Sequence, residues 1–167
     1  MNVVLREATP ADLDAVVEVF LACWRGSYAA VLPQSLVASI SDERAVEMWT
    51  RALGSARGHT VVADDGERIL GLTRWEVSGA AGQVHSLYVS PAAQGSGLGT
   101  RLLDHAEDAF VQQRATSATL WVFAANGPSV GFYRSRGWRP DGATRVEPEF
   151  GQPELRLRKA LREGEPG

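Results

Sequence analysis

Cys23 is the only thiol in this 167-residue chain. That excludes a disulfide framework and a cysteine-rich zinc site. No apolar run approaches the ~18 residues a membrane-spanning helix needs, so a membrane partner is not expected. The opening Met-Asn-Val-Val-Leu-Arg lacks a basic stretch followed by an apolar one, which argues against a secretory leader and for the cytoplasm. Basic residues are not in excess: 17 Lys+Arg stand against 20 Asp+Glu, a net charge of −3, and the pI is about 5.6. Polyanion binders carry a basic stripe and a high pI, so nucleic acid is not an expected partner. His, Cys and acidic residues do not cluster at metal-ligand spacing, so no metal is expected. What is present is ample core material, with 44% hydrophobic and 22% charged residues. A chain of this size buries roughly 70% of its unfolded surface and needs no covalent staple. Residues 1–161 read as one domain and 162–167, polar with Gly and Pro, as a frayed tail.

Periodicity orders the elements. Residues 3–7 alternate weakly and predict a first strand. Thr9-Pro10-Ala11-Asp12 reads as a helix start, with a capping threonine, a proline where its missing N–H costs nothing, and an acid at the positive helix end. Leu13, Val16, Val17, Phe20 and Trp24 then form one helical stripe, which Gly26 ends. Pro33 opens a second helical stretch, and 41–53 is helical with Ala45, Met48, Trp49 and Leu53 inward. Residues 60–63 and 68–77 are β-rich and separated by Asp64-Asp65-Gly66, a hairpin turn. Residues 79–82 read as another turn and 83–89 as the next strand. Leu98, Leu102, Leu103, Ala106 and Phe110 share one face of a long helix. A strand at 116–123, a helix at 128–136, and strands from 137 and at 154–161 complete the chain. The order implies α+β: a mixed, mostly antiparallel central sheet of about six to seven strands flanked by about four helices.

Chemistry concentrates in Gln94-Gly95-Ser96-Gly97-Leu98-Gly99, between a strand ending at Val89 and a helix beginning near Leu98. A helix start leaves backbone N–H groups unpaired and adds a partial positive charge. Glycines let that backbone approach an anion closely. A Walker loop would need Gly-Lys-Ser/Thr, but Gly99 is followed by Thr100 and Arg101. A dinucleotide fingerprint would need G-x-G-x-x-G in a βαβ unit. Here G-x-G-x-G follows an antiparallel meander.

These stretches resemble the GNAT superfamily of N-acetyltransferases. The residues carrying the resemblance are Leu87-Tyr88-Val89, the loop from Gln94 to Gly99 as Q/R-x-x-G-x-G/A, and Asn126 with Phe132-Tyr133 and Gly137-Trp138. It spans nearly the whole chain. It implies a V-shaped splay between the fourth and fifth strands, and acetyl-CoA as co-substrate. The backbone amides of Gly95, Ser96, Gly97, Leu98, Gly99 and Thr100 would hold the diphosphate. The backbone of Leu87 and Val89 would pair with the pantetheine arm, and Asn126 would contact the pantetheine or adenosine side. Tyr133 would lie near the thioester sulfur and act as general acid, since a phenol can donate as the C–S bond breaks. The Val89 N–H would polarise the thioester carbonyl. Family members are often dimers, so a homodimer is compatible.

One departure concerns the base. Where many members carry a glutamate, this chain has Gln83 and Trp121, and His85 is the nearby residue able to accept a proton directly or through water. For the amine acceptor, Trp24, Ser27 and Tyr28 leave the first helix where the family walls its acceptor site. Trp75, Trp121 and the loop 144–151, with Glu147 and Glu149, are further candidates, because acidic residues attract a cationic amine. The expected activity is acetyl transfer from acetyl-CoA to a primary amine of a small molecule or of a protein or peptide. The alternatives are a non-catalytic CoA- or acyl-CoA-binding module and a nucleotide-dependent enzyme.

Overall fold

A computed structural model describes residues 2–161; the tail expected at 162–167 lies outside the described residues. The chain opens with β1 (Val4–Glu7), a 3-10 turn at Pro10–Asp12 and α1 (Leu13–Arg25). The Asp12 carboxylate accepts from the Thr9 N–H at 2.8 Å, fixing the entry to α1. The Gly26 N–H closes its far end on the Ala22 carbonyl. Tyr28–Ala30 makes a second 3-10 turn before α2 (Gln34–Ala38) and α3 (Asp42–Gly54). Ser41 caps α3 by accepting from the Arg44 N–H at 3.1 Å. Then come β2 (His59–Asp64), β3 (Ile69–Ser78), β4 (Ala81–Val89), α4 (Leu98–Gln112), β5 (Ser117–Phe123), α5 (Gly127–Arg134), β6 (Arg139–Val146) and β7 (Pro153–Ala160).

The seven strands form one mixed sheet in the order β1-β2-β3-β4-β5-β7-β6. Among the described residues only β4 and β5 pair in parallel. One face packs on α1, α2 and α3 through Phe20, Trp24, Leu36 and Trp49. The other packs on α4 and α5 through Leu103, Phe110, Tyr133 and Trp138. All five apolar positions expected to share a face of α4 are buried. Among the described residues five α-helices flank the sheet, in keeping with the expected about four.

Two local differences from the sequence reading have physical reasons. The turn expected over 79–82 is only Gly79 and Ala80, and Gly82 lies inside β4. A Cβ at Gly82 would sit 2.6 Å from the Phe110 ring, so glycine is there to let α4 lie close to the sheet. The loop expected over 144–151 is shorter, because residues 144–146 pair with β7.

The β3–β4 register shifts in mid-strand. Arg74 faces Ser86 but Trp75 faces Val84, leaving His85 as an extra residue on β4. Such a bulge bends a strand and breaks its pairing. The pairing of β4 with β5 covers only Ala81 to Val84 against Ser117 to Leu120 and stops at this point. Beyond it the two strands diverge, while β5 stays paired with β7 to Phe123. The sheet therefore opens as a V between its fourth and fifth strands.

Candidate active site

The opened ladder determines which backbone groups are free. The Ser90 N–H donates to the Leu70 carbonyl at 2.8 Å. Antiparallel rungs alternate, so Leu72/Tyr88 continues that hydrogen-bonded set, while Gly71/Val89 and Thr73/Leu87 are the other kind. The N–H and C=O groups of Leu87 and Val89 thus point away from β3, into the V. The Val89 carbonyl is already engaged by the Cys23 thiol at 3.1 Å and the Gln94 side-chain amide at 3.3 Å. Its N–H remains available. Burial pushes the Cys23 thiol up to about 11, so it stays protonated in this contact.

At the end of the V stands the glycine loop. Gly95 and Gly97 have φ of +80° and +84°, a conformation that L side chains rarely adopt. A Cβ on either would meet no atom within 4 Å, so both flank open space. The first helical hydrogen bond runs from the Arg101 N–H to the Gly97 carbonyl. The N–H groups of Leu98, Gly99 and Thr100 have no helical acceptor and face the loop's outer side. Ser96 Oγ donates to the Ala93 carbonyl, and the Gln94 amide also donates to Ser27 Oγ at 2.8 Å. These two side chains hold the loop in shape.

Arg136 stands beside the loop and was not singled out from the sequence. Its guanidinium lies 3.8 Å from the centroid of the Phe132 ring. Its Nε donates to Thr100 Oγ1 at 2.9 Å, and its Nη1 to the Phe132 carbonyl at 3.0 Å and Ser135 Oγ at 2.8 Å. No carboxylate among the described residues pairs with it. Arg136 lies four residues after Phe132 and just past α5, which ends at Arg134 rather than at the expected 136. Open glycine positions, unpaired amides and a cation without a counter-ion together fit an anionic group such as a diphosphate.

Two cavities meet inside the V. One, of about 700 Å³, runs along the loop past Cys23, Val89, Gly97 and Arg136. The other, of about 490 Å³, is walled by Trp24, His85, Trp121, Phe150 and Glu154. Tyr28, Leu87, Tyr88, Asn126, Ser129 and Tyr133 line both. Asn126 caps α5 through Oδ1, which accepts from the Ser129 N–H at 3.2 Å. Tyr133 is buried on α5, its ring centroid 5.2 Å from that of Phe132 and 6.2 Å from that of Trp138. Burial, reinforced by Tyr88, holds its phenol well above the ordinary value, so it carries its proton at neutral pH. Burial pushes the His85 imidazole below its usual value, opposed by Glu76, whose Oε2 lies 3.5 Å from Nε2. His85 is thus biased toward the neutral form that can accept a proton.

Several expected residues stand elsewhere. Trp75 is buried against Phe110 on the α4 side, the face of β3 that Gly71 also presents to α4, and it does not wall the second cavity. Glu147 lies off that wall and pairs with Arg145 at 3.0 Å. The acids on the wall are Glu47, Glu149 and Glu154. Glu154 is buried, and its Oε1 accepts from Arg145 Nε at 3.0 Å. Nothing local in the sequence marks it; β7 register opposite Phe123 brings it to the V. Arg145 also covers one face of Trp121, 4.3 Å from the ring centroid. Among the described residues no helix is long and apolar enough to cross a membrane.

Known proteins resemble this chain in sequence and in fold. The uncharacterized N-acetyltransferase YuaI of Bacillus subtilis is 26% identical over 138 residues, covering 80% of this chain and 78% of its own. The PaiA N-acetyltransferase of Thermoplasma acidophilum, solved in complex with coenzyme A, superposes with a TM-score of 0.78 at 18% identity, covering 96% of this chain and 99% of that one. The ribosomal-protein-S18-alanine N-acetyltransferase of Escherichia coli gives a TM-score of 0.73 at 16% identity, covering 99% of both chains. At such identities the structural likeness speaks for the fold. The model of the acetyltransferase (GNAT) family matches residues 13–138, well over half of the sequence, from α1 through the glycine loop to Trp138. With the splayed sheet, the loop and the paired cavities in place, the chain belongs to the acetyltransferase (GNAT) family.

Proposed function

We propose that this protein transfers an acetyl group from acetyl-CoA to a primary amine of a small molecule or of a protein or peptide. The observation that carries the reading is the meeting of two cavities at Tyr133, one beside an anion cradle and one rich in aromatic and charged side chains. The coenzyme A complex of the PaiA relative supports CoA as the occupant of the first cavity. Acetyl-CoA supplies the activated thioester when bound.

The roles of the chain's own groups follow from their positions. The amides of Gly95, Ser96, Gly97, Leu98, Gly99 and Thr100 bind the diphosphate, with Arg136 beside them. The N–H and C=O of Leu87 and the N–H of Val89 receive the peptide-like pantetheine arm in place of the missing strand rung. The Val89 N–H is the donor available to polarise the acyl carbonyl. Tyr133 gives its phenolic proton to the departing sulfur and regains one from solvent. The amine must lose a proton, and His85 is the acceptor, directly or through water. Freeing a lysine-like amine of pKa about 10.4 costs roughly 4–5 kcal/mol at pH 7, against about 1–1.5 kcal/mol for an α-amine near 8. A single neutral-biased histidine therefore favours amines of low pKa.

Thiol release from acetyl-CoA, followed across a panel of primary amines, tests the reading. Amine-dependent release is expected. Saturable CoA binding without release across the panel would instead favour a non-catalytic CoA-binding module. Saturation of the loop by ATP or NAD but not by CoA would favour a nucleotide-dependent enzyme.

A further inference from the structure

Glu154 is a carboxylate in an unusual position. It stands on β7 opposite Phe123, is 6% exposed, and lines the second cavity. Burying a carboxylate costs several kcal/mol unless it is paired. Its partner is Arg145, held to Glu154 Oε1 at 3.0 Å, but Arg145 also pairs with Glu147 at 3.0 Å. One guanidinium thus serves two carboxylates, and the trio carries one negative charge in excess. Glu154 Oε2 has no hydrogen-bond partner among the described residues and is not sealed from the cavity. A half-satisfied, nearly buried carboxylate calls for a donor from the ligand.

The surrounding walls select the kind of donor. Trp24 stacks on Phe150, with centroids 5.9 Å apart at 26°, and meets Phe123 edge-on at 6.0 Å. Aromatic faces beside an anionic oxygen suit an ammonium carried on a flat apolar body. α3 lines the cavity with Arg44, Glu47 and Arg51, a cation-anion-cation row in which Arg44 is paired with Glu149 at 3.2 Å. Across the cavity, β4 presents the neutral Tyr88 phenol and His85.

We propose that Glu154 anchors the ammonium of the incoming acceptor, which gives up its proton to His85 before attack, so that this cavity selects primary amines borne on flat apolar groups over neutral isosteres. The assignment rests on the transferase reading for its consequence, because it names the acceptor class, but its test is independent of turnover. 2-Phenylethylamine and its uncharged isostere 2-phenylethanol are titrated into the protein with and without saturating CoA, by calorimetry. The wild type should bind the amine at least ~10-fold tighter, the scale of a charge-assisted hydrogen bond. Glu154→Gln should abolish that preference while CoA affinity is retained. Equal affinity for the two probes in the wild type, which needs no variant to fold, overturns the proposal. So does a preference that survives in Glu154→Gln. Absence of CoA binding with the amine preference intact sinks the transferase reading and leaves the Glu154 assignment standing.

Discussion

Tyr133 and Arg136 sit three residues apart on and just beyond α5, and burial treats them differently. Tyr133 is enclosed, so its phenol holds its proton to high pH. Arg136 lies flat on Phe132, where the ring supports its charge without a carboxylate to neutralise it. Tyr133→Phe keeps the ring and removes the proton donor. Its kcat should fall ~10²-fold in the thiol-release assay, with an unchanged melting temperature. An unchanged kcat would remove Tyr133 from the chemistry. Arg136→Ala should weaken CoA binding about 10- to 100-fold by calorimetry and leave the phosphate-free fragment pantetheine unaffected. An equal loss for both ligands would mean that Arg136 acts by holding α5 rather than by meeting phosphate. Tyr133 was legible in the sequence through its spacing from Asn126 and Gly137. Arg136 and Glu154 were not, because a basic residue near a glycine or an acid at a strand start is ordinary. Only the stacking in one case and the β5–β7 register in the other give them meaning.

Among the elements, the helices and hairpins were readable because their burial pattern is local. The α4 stripe and the turn between β2 and β3 depend on neighbours in sequence; the stripe stands where periodicity set it, and the turn, expected at 64–66, falls at 65–68 because Asp64 still pairs in β2. The bulge at His85 was not readable, since it exists only in the register of β4 against β3. The extra residue puts Val84 and Tyr88 of β4 on opposite faces of the sheet, while Trp75 reaches the core by the plain alternation of β3 from Gly71. The glycine loop joins the two kinds of information, since its glycines were visible but the open space above Gly95 and Gly97 was not. Gly97→Glu puts a carboxylate into that space at a backbone site of positive φ. CoA affinity should drop below detection in calorimetry, with a stability loss of only about 1–2 kcal/mol in urea denaturation. A variant that binds CoA as tightly as the wild type would show that the loop does not face the diphosphate.

Across the whole molecule, the open V leaves the two halves of the sheet joined by four rungs between β4 and β5, and the outer strand β1 is tied in by side chains as well. Arg6 on β1 bonds both oxygens of Asp12, each at 2.9 Å, and Asp64 on β2 at 3.0 Å. The Arg6 guanidinium holds the Asp12 carboxyl down to about 2 from an ordinary 3.8. The folded chain therefore binds that proton less readily than the unfolded one. The resulting stability is present above about pH 3.8 and is lost as pH falls through about 2. Asp12→Asn should cost about 1 kcal/mol at pH 7, after allowance for the exposure of Arg6, and little at pH 2. Urea denaturation at both values checks this, and an equal deficit at each would assign the cost to packing.

Backbone amides freed by the splayed strands and the helix start are the feature on which the functional reading turns. Hydrogen exchange of the individual amides, measured by NMR with and without saturating CoA, addresses them one by one. Slowed exchange at Leu87, Val89 and residues 95–100, with little change on β1 and β2, is the predicted result. Saturation by CoA that leaves those amides exchanging at their free rates would contradict the account.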